Sequence, residues 1–250
     1  MSRFAIAVLI ALALDALALL AGKWIWFWVV VAIFFAVFTL GIVFPQPRFF
    51  GPFICRGNKT QKRVALTFDD GPDARSTPEL LDWLRAEKIP ATFFGIGKNV
   101  VAAKELTARI AQEGHLLGNH TFTHSNATNL FSSARLREEM TRTQTAIKDA
   151  AGVEPKFFRP PMGLSNPRIF REAHRLEMRV IGWNARGFDT VCHDPQHIVA
   201  RIVRRLKPGG IILLHDGNIP AGRLMVTVKS LWATLRERGY TVVPLDELLK

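Results

Sequence analysis

The chain opens with two long apolar stretches whose length and composition are typical of membrane-spanning helices. Residues 4–21 contain one charge, Asp15, and residues 24–44 contain none. At about 1.5 Å of rise per residue, a helix of about 20 residues crosses the hydrocarbon core of a bilayer. Three tryptophans lie near the start of the second stretch, as in the aromatic belts of membrane interfaces. Residues 1–45 are therefore predicted to form a transmembrane helical hairpin in an inner or plasma membrane.

The distribution of basic residues predicts the side of the membrane on which the rest of the chain lies. Five basic residues fall between Arg48 and Arg63, whereas the turn between the apolar stretches has only Lys23. Because cytoplasmic loops are enriched in Lys and Arg, the N-terminus and the rest of the chain are expected in the cytoplasm. If the first stretch is a signal peptide instead, or lies on the surface, a single span would place the rest outside.

Beyond the hairpin, short apolar runs alternate with helical patterns. Residues 46–60 are rich in Pro, Gly and Phe and are predicted to be a linker. Strands are predicted at 64–68, 91–95, 116–118, 156–158, 179–183, 211–214 and 241–243. Helices are predicted at 77–87, 100–113, 132–150, 166–177, 195–207 and 222–238. This alternation predicts that residues 61–250 form an α/β domain with about seven parallel strands, as an open sheet or a barrel.

The net charge of +12 bears on the partners of the protein. Only Arg3, Lys23 and Asp15 are charged in residues 1–45 and together contribute +1, so +11 belongs to the rest. A basic surface suits anionic lipid headgroups, phosphorylated substrates or nucleic acid. The sequence has no helix-turn-helix, RNA-binding signature or long Lys/Arg run, so nucleic acid is not expected as a partner. Membrane lipids remain expected partners.

Residue types that bind metal follow two of the predicted strands. Asp69 and Asp70 come directly after the first strand, before a Gly-Pro turn. Adjacent strand residues point to opposite faces, so a bend is needed for both carboxylates to serve one site. His120 and His124 are spaced i and i+4, which puts both rings on one side of a helical turn. One carboxylate and two imidazoles suit a divalent cation, and Asp69 is then the candidate base. A turn in which the aspartates only cap the sheet is the alternative.

Three more polar residues follow later strands. Arg159 is placed to pair with a carboxylate, Asp189 lies beyond the fifth strand, and His215 ends the sixth. If the reaction is the hydrolysis of an amide, a histidine at this position can protonate the amine that leaves. Because the carboxyl ends of the strands of a β/α barrel share one face, these side chains are expected to meet the aspartates and histidines there.

The segments TFDDGP, HTFTH, RPPMG and LLHDG occur in this order, and with them the chain resembles the polysaccharide deacetylase family, the NodB-homology carbohydrate esterases. The resemblance covers roughly residues 60–245 and implies a distorted (β/α) barrel. It implies Asp69 as the base, Arg159 as the residue that orients it, His215 as the acid, Asp189 as the residue that tunes this acid, and Asp70, His120 and His124 as the metal ligands. The expected metal is Zn²⁺, although other first-row divalent ions suit the same ligands.

Four residues are predicted to bind substrate: Pro160, Trp183, Arg186 and Leu213. The resemblance implies that Leu213 faces the methyl group of the acetyl substituent. Thr190 stands where family members acting on long polymers often have Trp, and Arg186 stands where Asp is frequent. Both departures fall in the substrate groove, which argues against a conventional chitin or peptidoglycan substrate. The two membrane helices and the basic charge of the domain favour a lipid-linked sugar phosphate instead. A cell-wall or exported polysaccharide is the rival.

The sequence thus predicts a membrane-associated, metal-dependent hydrolase that removes an N-acyl group, with N-acetyl the expected case, from an amino sugar. The sugar would belong to a membrane-associated glycan or a lipid-linked sugar. The alternative is a catalytically inactive carbohydrate-binding or scaffold protein on the same fold. That alternative predicts the loss of metal ligands or of the base, and all of them are present. Nothing in the sequence indicates an oligomeric state.

Overall fold

Two apolar helices, α1 (Arg3–Leu20) and α2 (Trp24–Val43), form a hairpin at the start of the chain. The computed structural model describes residues 2–43 and 49–250, so Phe44 of the predicted second helix and residues 46–48 of the predicted linker lie outside the described residues. Ser2 begins α1, because its hydroxyl accepts a hydrogen bond from the backbone N–H of Ala5 at 3.2 Å. Both helices are long and apolar enough to cross a membrane, although a signal sequence near the N-terminus would meet the same criteria.

Aromatic side chains join the open end of the hairpin to the rest of the protein. The ring centroid of Phe4 in α1 lies 5.8 Å from that of Phe38 in α2 and 5.3 Å from that of Phe50. The backbone N–H of Phe4 also donates to the carbonyl of Phe49 at 3.0 Å. The N-terminus and the following domain therefore lie at the same end of the hairpin.

The rest of the chain builds one parallel sheet that curls into a partly open barrel. Its strands are β1 (Arg63–Asp69), β2 (Thr92–Gly95), β3 (Leu116–Asn119), β4 (Phe157–Phe158), β5 (Arg179–Val180), β6 (Ala185–Arg186), β7 (Gly210–His215) and β8 (Thr241–Val242). The order is β5-β4-β3-β2-β1-β7-β6, and β8 pairs with the start of β1. The distorted barrel of about seven parallel strands is confirmed. The short strand β6 was not predicted from the sequence.

Helices cover the outside of the sheet. They are α3 (Thr77–Glu87), α4 (Gly97–Ala102), α5 (Lys104–Gln112), α6 (Ser133–Ala151), α7 (Pro167–Arg175), α8 (Pro195–Arg205), α9 (Ala221–Glu237) and the C-terminal α10 (Leu245–Leu248). The single helix predicted at 100–113 is wrong, because Ala103 adopts φ −132° and ψ 56° and separates α4 from α5. Two short 3₁₀ turns, Thr128–Leu130 and Pro161–Gly163, lie in the loops.

Strand alternation divides the core into an outer and an inner part. In β1, Val64, Leu66 and Phe68 belong to the large cluster packed under the helices. Ala65, between them, belongs to an inner cluster that the apolar residues of α10 complete. Because side chains alternate along a strand, Asp69 follows the inward parity of Ala65, and its carboxylate reaches the mouth of the barrel.

Residues 53–57 lie across the gap between the two ends of the sheet. The N–H of Ile54 donates to the carbonyl of Val180 at 2.9 Å, and the N–H of Gly57 donates to the carbonyl of Gly209 at 2.8 Å. Phe53 is 1% exposed and packs with the core. This part of the segment predicted to be a linker is thus packed against the domain, because an aromatic side chain and backbone hydrogen bonds both find partners there.

Candidate active site

Both carboxylates of the Asp69–Asp70 pair face the same cleft. Asp69 ends β1, and Asp70 has φ 73°, in the left-handed region. This conformation ends the strand and is the bend that the sequence required for two adjacent side chains to serve one site. The side-chain amide of Asn99 donates a hydrogen bond to the backbone carbonyl of Asp70 at 2.8 Å. A left-handed aspartate is uncommon but tolerated, and here it directs the carboxylate toward the histidines.

The segment with the two histidines is a loop, so the helical turn predicted for it is wrong. Thr121 has φ 63° and His124 has φ 51°, and neither angle is compatible with a right-handed helix. The rings of His120 and His124 nevertheless lie close together, with centroids 4.8 Å apart. The loop is held by the buried carboxylate of Glu139 in α6, which accepts from the N–H groups of Phe122 at 3.0 Å and Thr123 at 2.8 Å.

Sequence reasoning missed Glu139, although its position contained a signal. Leu136, Met140 and Thr143 are buried on one face of α6, and Glu139 lies on the same face with 1% exposure. A carboxylate on the buried face of a helix needs partners, because an unpaired buried charge is costly. Those partners are the backbone of the histidine loop.

Asp70, His120 and His124 bring three ligand atoms together. Oδ1 of Asp70 lies 3.4 Å from Nε2 of His120 and 3.3 Å from Nε2 of His124. The three ligand atoms lie within 4.8 Å of one another. Asp70 Oδ1 is buried and has no hydrogen-bond partner in the described part of the chain. Nδ1 of His120 lies 2.7 Å from the carbonyl of Arg159, which places the ring proton on Nδ1 and leaves the Nε2 lone pair free. These residues fit a divalent cation.

The electrostatics of the three residues favour a positive charge between them. Burial lowers the pKa of His120, but the carboxylates of Asp69 and Asp70 outweigh it, and the pKa is raised. Burial raises the pKa of Asp70, yet its interaction with the neighbouring His120 prevails and lowers the pKa to about 2. Burial, and then the neighbouring His120, lower the pKa of His124. An ionised carboxylate and a neutral imidazole are the forms that bind metal.

Asp69 is held by a buried arginine. Nη1 of Arg159 donates to Oδ1 of Asp69 at 2.6 Å, and Arg159 is fully buried. The same nitrogen contacts the hydroxyl of Thr67 at 2.9 Å, and Nη2 donates to the carbonyl of Gly182 at 3.1 Å. Thr67 was not predicted, although its inward position two residues before Asp69 in β1 was a usable signal. The other oxygen of Asp69 lies 3.9 Å from Nε2 of His120, so this carboxylate borders the candidate metal site.

His215 and Asp189 form a pair on the opposite wall. His215 ends β7, and its Nδ1 lies 3.0 Å from Oδ1 of Asp189. The backbone N–H of His215 donates to Oδ2 of the same carboxylate at 2.8 Å. Burial lowers the pKa of this imidazole, but the hydrogen bond and charge of Asp189 prevail and raise it to about 9. The ring is thus protonated near neutral pH.

These groups border a cleft of about 300 Å³ at the carboxyl ends of the strands. Its wall also includes Trp183, Arg186 and Leu213, three of the four predicted substrate-binding residues. Pro160 does not line this cleft and is buried. Met162 lines it instead and is 46% exposed, because the turn Pro161–Gly163 holds Met162 at φ 57° and directs it outward.

Comparisons with known proteins agree with the fold and with the family that the sequence motifs indicated. Residues 56–181 match the family model described as polysaccharide deacetylase. A peptidoglycan-N-acetylglucosamine deacetylase of Bacillus cereus is 34% identical over 192 residues, which are 76% of this chain and 89% of that protein. A chitooligosaccharide deacetylase of a Bradyrhizobium species is 31% identical, over 75% of this chain and 90% of that protein.

A solved structure also has the same fold. The wild-type BA3943 protein of Bacillus anthracis, described as a CE4 family pseudoenzyme, is 28% identical, with a TM-score of 0.73, over 79% of this chain and 68% of that one. Together with the named deacetylase relatives, the partly open β/α barrel defines the class of protein as a hydrolase that acts on non-peptide amide bonds. The chain belongs to the polysaccharide deacetylase family.

Proposed function

We propose that this protein is a metal-dependent N-deacetylase that acts on an amino sugar of a membrane-associated glycan or a lipid-linked sugar. The observation that supports it best is the buried Oδ1 of Asp70, which accepts no hydrogen bond from the described residues and faces Nε2 of both His120 and His124. In the reaction, water and the N-acetyl amide give acetate and a free amine. The named deacetylase relatives of Bacillus cereus and Bradyrhizobium support the reaction class.

Asp70, His120 and His124 would hold the cation, and Zn²⁺ suits two imidazoles and a carboxylate. A divalent cation held there supplies Lewis acidity, which polarises an acyl oxygen and makes water more acidic. His120 is oriented for this role by the carbonyl of Arg159, at 2.7 Å from its Nδ1. Glu139 fixes the loop that contains both histidines by accepting hydrogen bonds from its backbone N–H groups.

Asp69 acts as the general base that takes a proton from the attacking water. Oδ2 of Asp69 lies 3.9 Å from Nε2 of His120, one of the candidate metal ligands. Oδ1 of Asp69 accepts a hydrogen bond from Nη1 of Arg159 at 2.6 Å. A base must keep its orientation through the reaction, and the buried guanidinium, itself fixed by Thr67 and the carbonyl of Gly182, supplies that constraint.

His215 acts as the general acid that protonates the departing amine. The pair with Asp189 keeps the imidazole protonated, since the pKa is raised to about 9. With Nδ1 occupied by Asp189 at 3.0 Å, Nε2 is the atom that donates the proton. Leu213, two residues earlier on the same face of β7, lines the cleft and is placed to contact the acyl methyl group.

The two apolar helices anchor the protein, so that the cleft works beside a membrane. Because the N-terminus and the domain lie at the same end of the hairpin, two retained spans would put both on one side. The basic residues that precede the domain favour the cytoplasm. A reporter fused to the C-terminus tests this: cytoplasmic signal is expected, and periplasmic signal would favour an exported polysaccharide as the substrate.

Acetate release from a panel of N-acetylated amino sugars, neutral and phosphorylated, by the purified full-length chain tests the catalytic proposal. We expect activity that is lost with a chelator and restored by Zn²⁺, and one bound metal ion per chain by elemental analysis. His120→Ala should lose both the ion and the activity. His197→Ala, which changes an exposed histidine of α8, is the matched control and should retain both.

Full activity in His120→Ala would contradict the metal assignment. Metal binding by the wild-type chain without acetate release from any amino-sugar substrate would favour the alternative of an inactive carbohydrate-binding protein on this fold.

A further inference from the structure

Arg186 stands on the wall of the active-site cleft between two aromatic rings. It ends β6 and pairs in register with Leu213 of β7, which places it in the same cleft as the candidate catalytic residues. Its guanidinium carbon lies 4.1 Å from the ring centroid of Phe188 and 5.4 Å from that of Trp183. Stacking on aromatic faces orients a guanidinium while leaving its N–H groups at the edge available for hydrogen bonds.

The backbone of Phe188 adopts a conformation that is rare for a bulky residue. Phe188 has φ 60° and remains 37% exposed. A phenylalanine in the left-handed region is disfavoured, and such conformations concentrate at ligand sites where the surrounding structure maintains them. In this conformation its ring lies against the guanidinium of Arg186.

Among the residues that the structure describes, none forms a hydrogen bond or ion pair with the Arg186 guanidinium. The three carboxylates of the cleft face other residues: Asp189 faces His215, Asp69 faces Arg159, and Asp70 faces His120 and His124. Burial, and then the positive charge of Arg205, lower the pKa of Arg186. A partly buried cation that no carboxylate of the described residues pairs with is a favourable environment for an anionic ligand.

We propose that Arg186 binds a phosphate group of the amino-sugar substrate, so that the enzyme acts on an N-acylated sugar phosphate. This inference rests on the proposed deacetylase function. A guanidinium offers parallel N–H donors that match the oxygens of phosphate. The phosphate belongs either to a soluble sugar phosphate or to the headgroup of a lipid-linked sugar.

Three substrates separate these possibilities in acetate-release assays with the metal-loaded full-length chain in detergent. They are N-acetylglucosamine 1-phosphate, a polyprenyl diphosphate-linked N-acetylglucosamine, and the neutral N,N′-diacetylchitobiose. We expect Arg186→Gln to lower kcat/KM for the phosphorylated substrates by about 10- to 100-fold, the loss typical of a charged hydrogen bond. We expect the neutral substrate to change by less than about 3-fold, since it has no charge to bind.

Two further variants control for structure and charge. Arg204→Gln removes the same charge from an exposed position of α8 that borders a different cleft, and it should leave the preference for phosphorylated substrates unchanged. Arg186→Lys keeps the charge without the planar, stacked donors and should fall between wild type and Arg186→Gln. Faster turnover of the polyprenyl-linked substrate than of the soluble phosphate would assign the phosphate to a lipid-linked sugar.

Equal losses on neutral and phosphorylated substrates in Arg186→Gln would overturn the inference and leave the deacetylase proposal intact. Calorimetric binding of glucosamine 1-phosphate, the deacetylated product, provides a readout without turnover. Weaker binding in Arg186→Gln but not in Arg204→Gln supports the phosphate site, and equal binding in all three proteins overturns it. If no substrate releases acetate, the proposed function fails. The calorimetric binding of glucosamine 1-phosphate then decides whether Arg186 binds phosphate.

Discussion

Nδ1 of His215 lies 3.0 Å from Oδ1 of Asp189, and the backbone N–H of His215 donates to Oδ2 of the same carboxylate at 2.8 Å. Both oxygens of Asp189 are therefore occupied by one residue. The imidazole cannot rotate without breaking this pair, and the carboxylate raises the pKa of the imidazole to about 9 despite its burial. A proton donor with this pKa remains charged across the neutral range.

Asp189→Asn should move the alkaline limb of the pH–rate profile to lower pH. The amide keeps the size of the side chain but removes the negative charge that raises the pKa of His215. Because the acid must be protonated, kcat/KM at pH 8 should fall by at least about 10-fold, whereas the acidic limb should stay in place. Asp194→Asn alters an exposed Asp–His pair and keeps a good helix cap, so it should leave the profile unchanged. A profile of Asp189→Asn that merely scales down at every pH would contradict the tuning role.

The same pair contributes a pH-dependent part of the stability. A histidine whose pKa is raised on folding from 6.5 to about 9 stabilises the protein fully below pH 6.5, and this contribution is lost as the pH rises toward 9. The difference in unfolding free energy between wild type and Asp189→Asn should thus be larger at pH 6 than at pH 10. Denaturant unfolding at the two pH values measures it.

Glu139→Gln should weaken metal binding, although Glu139 forms no hydrogen bond with the side chains of the candidate metal ligands Asp70, His120 and His124. Its carboxylate accepts from the N–H groups of Phe122 and Thr123 and from the hydroxyl of Thr123. An amide can keep these acceptor contacts through its single oxygen, but it loses the negative charge and turns its NH2 group toward the guanidinium of Arg135, which lies 3.3 Å from Oε1 of Glu139. Loss of a charged acceptor should cost about 1–3 kcal/mol. Loosening the histidine loop should lower the affinity for Zn²⁺ by about 10- to 100-fold, as is typical for residues that orient ligands.

Glu138→Gln is the matched control for this change. Glu138 precedes Glu139 in α6 but is 50% exposed and pairs with Arg135 and Arg142 at the surface. Its loss should cost less than about 1 kcal/mol and leave the affinity for metal unchanged. Titration of the metal-free protein with Zn²⁺ compares the two variants, and equal affinities would show that Glu139 has no part in holding the site.

Phe53→Ala should destabilise the domain if residues 53–57 belong to it. Phe53 is 1% exposed and packs with Phe158 and Val180 in one cluster, so truncation should cost about 3–5 kcal/mol. Leu130→Ala, at a position that is 80% exposed, should change the unfolding free energy by less than about 0.5 kcal/mol. Denaturant unfolding of the full-length chain measures both, and a change in Phe53→Ala as small as that in Leu130→Ala would mean that this segment is only a linker.

Local patterns were sufficient to predict most elements of this fold. Apolar length predicted α1 and α2, and short apolar runs predicted β1 and β7, because these signals depend on residues close together in sequence. The prediction failed where backbone conformation is set by distant contacts. Nothing near His120 in the sequence shows that Glu139 holds its loop in a left-handed conformation, and so the helical turn proposed for the two histidines was wrong.

The order of four motifs, together with the tendency of strand ends to share one face of a barrel, was enough to bring Asp69, His120 and His215 together in the prediction. The orientation of each group was decided only by the tertiary structure. Asp70 reaches the histidines because its backbone is left-handed, and Arg186 is stacked on two aromatic rings without an anionic partner in the described part of the chain. Composition and spacing determine which chemical groups are available, whereas the direction of a side chain depends on backbone angles and packing that non-local contacts impose.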